Sequence, residues 1–170
     1  MPENLKLLQP TLQEIECLTS GNTNFNYSGH QYDIKEILPK IVIQTTLKRH
    51  QNKEDWFWCA PRFFYHCSKN IIVGSGIFIK SLSPCKVELG YGVLKQYEGN
   101  GFATDGVACL LKEAFTRAEI EVVAVQTAIG NIASERVLEK NGFSRNGQNT
   151  DADDGLLNLW KYTPQKSNIK

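Results

Sequence analysis

Two periods run through the chain. From residue 58 to residue 94 the apolar residues come in three β-branched and aromatic runs, Trp58 to Cys67, Ile71 to Ile79 and Val87 to Leu94. Polar stretches at Ser68-Lys69-Asn70 and Ser81 to Lys86 separate them, which predicts three successive strands. After residue 102 the period becomes helical. Val107, Leu110, Leu111, Ala114, Phe115 and Ala118 fall at i, i+3, i+4, i+7, i+8 and i+11, one buried stripe of a helix. A strand over Glu121 to Gln126 and a shorter helix from Ile132 to Lys140 follow. Asn141-Gly142-Phe143 then offers a left-handed C′ glycine, so that Phe143 can fold back on Leu138. Asp151 to Gly155 reads as a turn and Leu156 to Tyr162 as a final strand.

The N-terminal third is less regular. Leu5 to Leu8 predicts a short strand, and Thr11 with Glu14 forms a capping box that opens a helix bearing Leu12, Ile15 and Leu18 on one face. Ser20 to Gly29 reads as a loop, and a helix lies between Asp33 and His50, interrupted or restarted at Pro39. Strands, helix, strand, helix, strands is the order of an α/β (α+β) domain around one mixed sheet. One domain over residues 1–163 with a polar, frayed tail at 164–170 accounts for the length.

Composition narrows the class. The 41% hydrophobic and 22% charged residues are ordinary for a globular protein, and a net charge of +1 gives no global attraction to nucleic acid or to an anionic membrane. Apolar runs are too short to span a bilayer, and Met1 to Lys6 lacks the pattern of a signal peptide. Five cysteines with no CxxC pair suggest free thiols in a reducing compartment, so the cytoplasm is expected. His30, His50 and His66 lack metal-ligand spacing, and no metal is expected.

The chemistry concentrates at Glu98-Gly99-Asn100-Gly101-Phe102-Ala103, between a strand and the striped helix. Glycines let successive N–H groups point at one ligand, and the helix start adds unsatisfied donors, which suits a phosphate or pyrophosphate. A plain flexible turn fits the spacing equally well. Phe102-Ala103 after Gly101 rules out a Walker A loop. A dinucleotide fingerprint would need a third glycine at Thr104 and an acidic end to the next strand, which instead reads Val125-Gln126-Thr127.

Three segments in order, Val87 to Val93, Tyr97 to Thr104, and Asn131 to Ser134 with Val137 to Phe143, resemble the Gcn5-related N-acetyltransferase (GNAT) superfamily, and most its ribosomal-protein N-terminal acetyltransferase branch. The resemblance implies a mostly antiparallel sheet of six to seven strands, acetyl-CoA as co-substrate, and an amine acceptor. The acceptor would be a protein or peptide N-terminus, with a small amine as the alternative and a non-catalytic acyl-CoA-binding module as another. It implies a monomer or homodimer, and a pyrophosphate cradle made by Glu98, Gly99, Asn100, Gly101, Phe102, Ala103 and Thr104. Gly101 and Ala103 match the family turn, whereas Glu98 stands where Gln or Arg is usual. It further implies that Tyr91, Gly92 and Val93 pair with pantetheine amides on a splayed strand, and that Asn131 contacts pantetheine. A plain N-cap is the other reading of Asn131.

For the reaction, alternation places Glu88 on the bare face shared by Gly90 and Gly92, where it could accept the amine proton; a surface ion pair is equally consistent. A bulge, expected for the family, would turn it away. The tyrosine that many relatives carry on the second helix is Leu138 here, so Ser134 becomes the candidate proton donor to the thiolate, or else a first-turn polar residue. Trp56, Phe57 and Trp58 read as core or acceptor pocket, His66 as a packed histidine, and Asp151, Asp153 and Asp154 as a solvated turn. The acceptor groove, expected from Asn22 to His50 and Gln148 to Gly155, carries no readable motif.

Overall fold

A capping box opens the first helix as its sequence predicts: Thr11 Oγ1 accepts from the Glu14 N–H at 3.2 Å, and the Thr11 N–H donates to Glu14 Oε2 at 2.7 Å. The computed structural model describes residues 4–80 and 83–165. The first residues, the start of the Ser81 to Lys86 connection and the end of the 164–170 tail lie outside them. Along the described residues run β1 (Leu5–Leu8), α1 (Leu12–Thr19), β2 (Asn24–Tyr27), β3 (His30–Asp33), α2 (Lys40–Gln51), α3 (Trp56–Cys59), β4 (Arg62–His66) and β5 (Ile71–Lys80). Then come β6 (Lys86–Val93), α4 (Phe102–Ala114), β7 (Val122–Ala128), α5 (Ile132–Lys140), β8 (Ser144–Asp151) and β9 (Gly155–Tyr162).

Seven strands make one mixed sheet in the order β1-β4-β5-β6-β7-β9-β8, and β2 with β3 forms a separate hairpin. Within the large sheet only β6 and β7 run parallel. One face carries α4 and α5 over Val73, Phe78, Val87, Leu89, Val107, Leu110, Val123, Val125 and Leu138. The other packs α1, α2 and the hairpin through Ile15, Phe25, Ile37, Leu38, Phe63, Tyr65 and Ile72. Helix α5 ends as expected: Phe143 N–H donates to Leu138 O and Gly142 N–H to Glu139 O, both at 3.0 Å, with Gly142 at φ +82°.

Three boundaries differ from the expectation, while α2 keeps to it by restarting at Pro39. Ser20 to Gly29 is not a loop throughout, because Ser28 and Gly29 both take positive φ and close a two-residue hairpin turn. Its strands were hidden by polar residues, and the rings of Phe25 and Tyr27 secure them edge-on against Phe63 and Tyr65, each at 4.9 Å. The strand expected from Trp58 begins only at Arg62. Asp55 Oδ1 accepts from the Phe57 N–H at 2.9 Å and starts a single helical turn, and Pro61 then forces Ala60 into extended backbone. Helix α4 stops at Ala114, short of Ala118, as the Thr116 and Arg117 N–H groups bond three residues back instead of four.

The packing of α4 against the sheet depends on a missing side chain. A Cβ on Gly106 would overlap the ring of the fully buried Phe64. Gly106→Ala gains about 1 kcal/mol in helix propensity but overpacks this contact, which commonly costs about 1–3 kcal/mol. A net loss of stability and a lower urea midpoint are expected; an unchanged or raised midpoint would show that α4 shifts freely.

Candidate active site

Strand β6 keeps two different partners for two different lengths. With β5 it pairs from Val87 to Val93 without a register shift, so the bulge expected there is absent and Glu88, Gly90 and Gly92 do share one face. With β7 it pairs only over Lys86 to Leu89, whereas β7 continues beside β9 as far as Ala128. Beyond Leu89 and Val125 the strands part, and the β7-facing backbone of Gly90 to Val93 has no strand partner. A wedge opens there.

The glycine turn closes the mouth of the wedge. Leu94 leads through a 3₁₀ turn, Lys95–Tyr97, to Gly99 at φ +75° and Gly101 at φ +80°. Gly101 is the N-cap of α4, and no side chain caps that helix, so the first-turn N–H groups stay available. Asn100 turns inward instead, its Nδ2 donating to Tyr97 O at 3.1 Å and Glu98 O at 3.0 Å, which fixes the turn.

A cleft of about 560 Å³ lies against this turn. From β6 it is lined by Tyr91, Gly92 and Val93, from the turn by Glu98, Gly99 and Gly101, and from the start of α4 by Phe102, Ala103 and Thr104. Helix α5 adds Asn131 and Ser134. Of the residues expected at a cofactor, Asn100 alone does not line the cleft. Phe102 contributes mainly backbone, since its ring is buried between Tyr97 and His66. Asn131 caps α5, its Oδ1 accepting from the Ser134 N–H at 3.2 Å, and lines the cleft as well.

Five lining residues were not among those expected from the sequence. Tyr97 comes from the 3₁₀ turn, and Arg136, Val137 and Lys140 continue the α5 face that Ala133 begins. That face could have been traced by i+3 and i+4 steps from Ala133. Arg136 and Lys140 bring two cations to the cleft that Glu98 also lines. Helix α5 is held to the turn by Asn141, whose Nδ2 donates to Thr104 O at 3.1 Å and to Val137 O at 2.9 Å. It is tied to β8 and β9 by the buried Glu135, which accepts from Arg145 Nη2 and Asn158 Nδ2, each at 2.9 Å.

The reverse face of β6 has its own cavity, about 270 Å³, walled by Glu36, Ile37, Pro39, Val42, Gly74 to Ile77 and Gly90 to Leu94. Ser75 Oγ donates to Ile37 O at 2.9 Å and holds the 34–38 segment over it. Tyr91, Gly92 and Val93 line this cavity and the cleft alike, so the parted strand is a wall common to both spaces. Glu88 lines neither. It sits on the reverse face two residues from Gly90, where Gln126 Nε2 donates to both its oxygens at 3.1 and 3.2 Å. Ser134 Oγ lies 3.1 Å from the Tyr91 hydroxyl.

Other candidates belong to packing. Trp56 Nε1 donates to Pro10 O, and Phe57 and Trp58 pack on Phe78, so these aromatic rings line neither space. His66 sits edge-on to Phe102 at 5.2 Å. Asp151 Oδ1 accepts from the N–H groups of Asp153 and Asp154 and builds the β8–β9 turn, away from both cavities. Among the described residues no cluster of histidine, cysteine or carboxylate side chains has the geometry to hold a metal ion, and no helix is long and apolar enough to cross a membrane.

Known proteins share this fold. Residues 7–144 match the family model described as an acetyltransferase (GNAT) domain. A relative in Bacillus subtilis (strain 168), the "Putative ribosomal N-acetyltransferase YdaF", is 39% identical over 42% of this chain, a match spanning 37% of that protein's length. The "Uncharacterized N-acetyltransferase YoaA" of the same organism is 25% identical over 98% of this chain and 92% of its own. Among solved structures, the ribosomal L7/L12 α-N-protein acetyltransferase RimL, in complex with coenzyme A, superposes with TM-score 0.64 at 16% identity over 95% of this chain and 94% of its own. The aminoglycoside acetyltransferase AAC(6')-Ib, also with coenzyme A, gives 0.66 at 18% identity over 95% of each chain. The fold and the parted strand thus define an acyltransferase scaffold, and the chain belongs to the GNAT acetyltransferase family.

Two glycines of the site separate strain from space. Gly101→Ala places a Cβ in the left-handed region and should cost about 1–2 kcal/mol. Gly92 has ordinary φ and open space around its missing Cβ, so Gly92→Ala should stay within about 0.5 kcal/mol of the parent. Thermal melts of both variants check this contrast.

Proposed function

We propose that this protein moves an acetyl group from acetyl-CoA directly to a primary amine, most readily the N-terminal amine of a protein or peptide. The observation that carries this reading is that two cavities share Tyr91, Gly92 and Val93 as a wall, beside the point where β6 and β7 part. A thioester entering from the α4–α5 face and an amine entering from the Gly90–Gly92 face can touch there without a covalent enzyme intermediate. The turn amides from Gly99 to Thr104 with Arg136 and Lys140 hold the pyrophosphate, while the unpaired edge of Gly90 to Val93 offers hydrogen bonds to the pantetheine amides.

The walls of the reverse cavity favour a peptide. Ile37, Pro39, Val42 and Ile77 make it apolar, with Glu36 as its single carboxylate. A polycationic amine would need several carboxylates in a desolvated pocket. Glu36, Ile37 and Leu94 also border a second cavity, about 530 Å³, that runs past Tyr32 and Gln96 and has room for the chain behind the reacting amine. The likeness to a protein named as a ribosomal N-acetyltransferase supports the same choice.

In the reaction the amine must lose a proton and the departing thiolate must gain one. Glu88, oriented by Gln126 about 7 Å along the strand from Gly90, takes the first through a water. Ser134 faces the thiolate side of the cleft. If the chain instead only bound acyl-CoA, ligand would be held and no thioester consumed.

Three measurements test this. Acetyl-CoA should raise the melting temperature and, with peptides bearing a free N-terminus, release free thiol; no shift at millimolar ligand would remove the donor site. Glu88→Gln should keep acetyl-CoA affinity while turnover falls about 10²-fold, and unchanged turnover would exclude Glu88. Removing a surface-site charge changes binding by roughly 0.3–1 kcal/mol, so Lys140→Gln should weaken acetyl-CoA about two- to five-fold and Glu98→Gln should tighten it by a similar factor, both effects fading at high salt.

A further inference from the structure

Ser134 does not stand alone. Its Oγ is 3.1 Å from the Tyr91 hydroxyl, which also approaches the Ser134 carbonyl at 3.4 Å. The two residues reach the contact from elements forty-three positions apart, one on the parted stretch of β6 and one in the first turn of α5. Both line the cleft, and Tyr91 lines the reverse cavity as well. The helix position where many relatives carry a tyrosine is taken by Leu138, which is fully buried in the core and cannot reach the cleft.

We propose that Tyr91 and Ser134 act as one proton-donating pair toward the departing thiolate, with Tyr91 as the residue that charges and orients the serine. This rests on the acetyl-transfer reading above. A serine hydroxyl by itself is a poor acid and a free rotor, able to aim its hydrogen away from the sulfur. A phenol is the stronger acid of the two, with an ordinary pKa near 10. When the Tyr91 O–H donates to Ser134 Oγ, that oxygen's acceptor site is filled and its own hydrogen is free to point into the cleft.

The step balances. As the C–S bond breaks, its electron pair goes to sulfur. Ser134 Oγ–H gives its proton to the thiolate, and Tyr91 O–H gives its proton to Ser134 Oγ. The amide nitrogen's surplus proton leaves on the acceptor side through Glu88 and water. Tyr91 is re-protonated by water in the cleft that it shares with Ser134, so one proton lost by the amine is matched by one gained by the thiol. Burial raises the Tyr91 pKa, outweighing the opposing hydrogen bond from Ser134, and so keeps the phenol protonated before each turnover.

Tyr91→Phe tests the pair, because it keeps the ring in the wedge and removes only the hydroxyl. The expected result is a kcat lower by about 10-fold, with the acetyl-CoA KM and the melting temperature unchanged. Ser134→Ala should show a similar or larger loss of kcat, and the double variant should be no slower than the worse single one, since the pair acts as a unit. Parent-like kcat in Tyr91→Phe would overturn the proposal. So would multiplicative losses in the double variant, which mean separate roles, or a loss confined to KM or to stability, which means packing alone. Parent protein that binds acetyl-CoA but never releases thiol would instead defeat the acetyl-transfer reading itself.

Discussion

The hydrogen-bond ladder between β6 and β7 ends at Leu89 and Val125, and the site exists because it ends there. Each strand goes on pairing with its outer neighbour, β6 with β5 and β7 with β9, so neither half of the sheet loses register when the centre opens. Between Gly90 and Val93 the main-chain groups that do not bond β5 thereby face the gap unspent, an arrangement that is costly unless something supplies the missing partners. The cleft lies along this parted stretch, and the same stretch walls the reverse cavity.

Helix α5 is the element that converts this gap into a shaped site. Its first turn presents Asn131 and Ser134 to the cleft, its middle adds Arg136, and its end adds Lys140. It is anchored at both ends by polar contacts of different kinds. Asn141 bonds the Thr104 carbonyl in the first turn of α4, while Glu135 gathers Arg145 and Asn158 from the last hairpin. The glycine turn, the helix and the β8–β9 hairpin are thereby tied to one another, and the Tyr91–Ser134 contact ties α5 to β6.

Much of this was legible in the sequence where local chemistry and burial agree. The capping box at Thr11, the stripe from Val107 to Ala114 and the glycine stop at Gly142 are each dictated by bonds within a few residues. The failures share the opposite property. The hairpin at 24–33 is polar along its length and owes its strands to aromatic contacts with β4, thirty to forty residues away. Trp58 and Cys59 have strand composition but obey the Asp55 cap and Pro61. At the site, most residues expected from the motifs line the cleft, whereas Arg136 and Lys140 join them from a helix face whose orientation is set by packing. The Tyr91–Ser134 contact joins two distant segments and had no sequence signature.

Little of the cleft around the glycine turn depends on which side chains the turn carries. Its donors are peptide N–H groups held by φ at Gly99 and Gly101 and by an uncapped helix start. Such a surface is inherited with the fold rather than with particular residues, and Glu98 can occupy a place others give to Gln or Arg while the amides remain. The reverse cavity is the contrary case, shaped by the side chains of Glu36, Ile37, Pro39, Val42 and Ile77. In a lineage, substitutions would accumulate unevenly across the strand that divides the two, with the main-chain half buffered and the side-chain half free to drift.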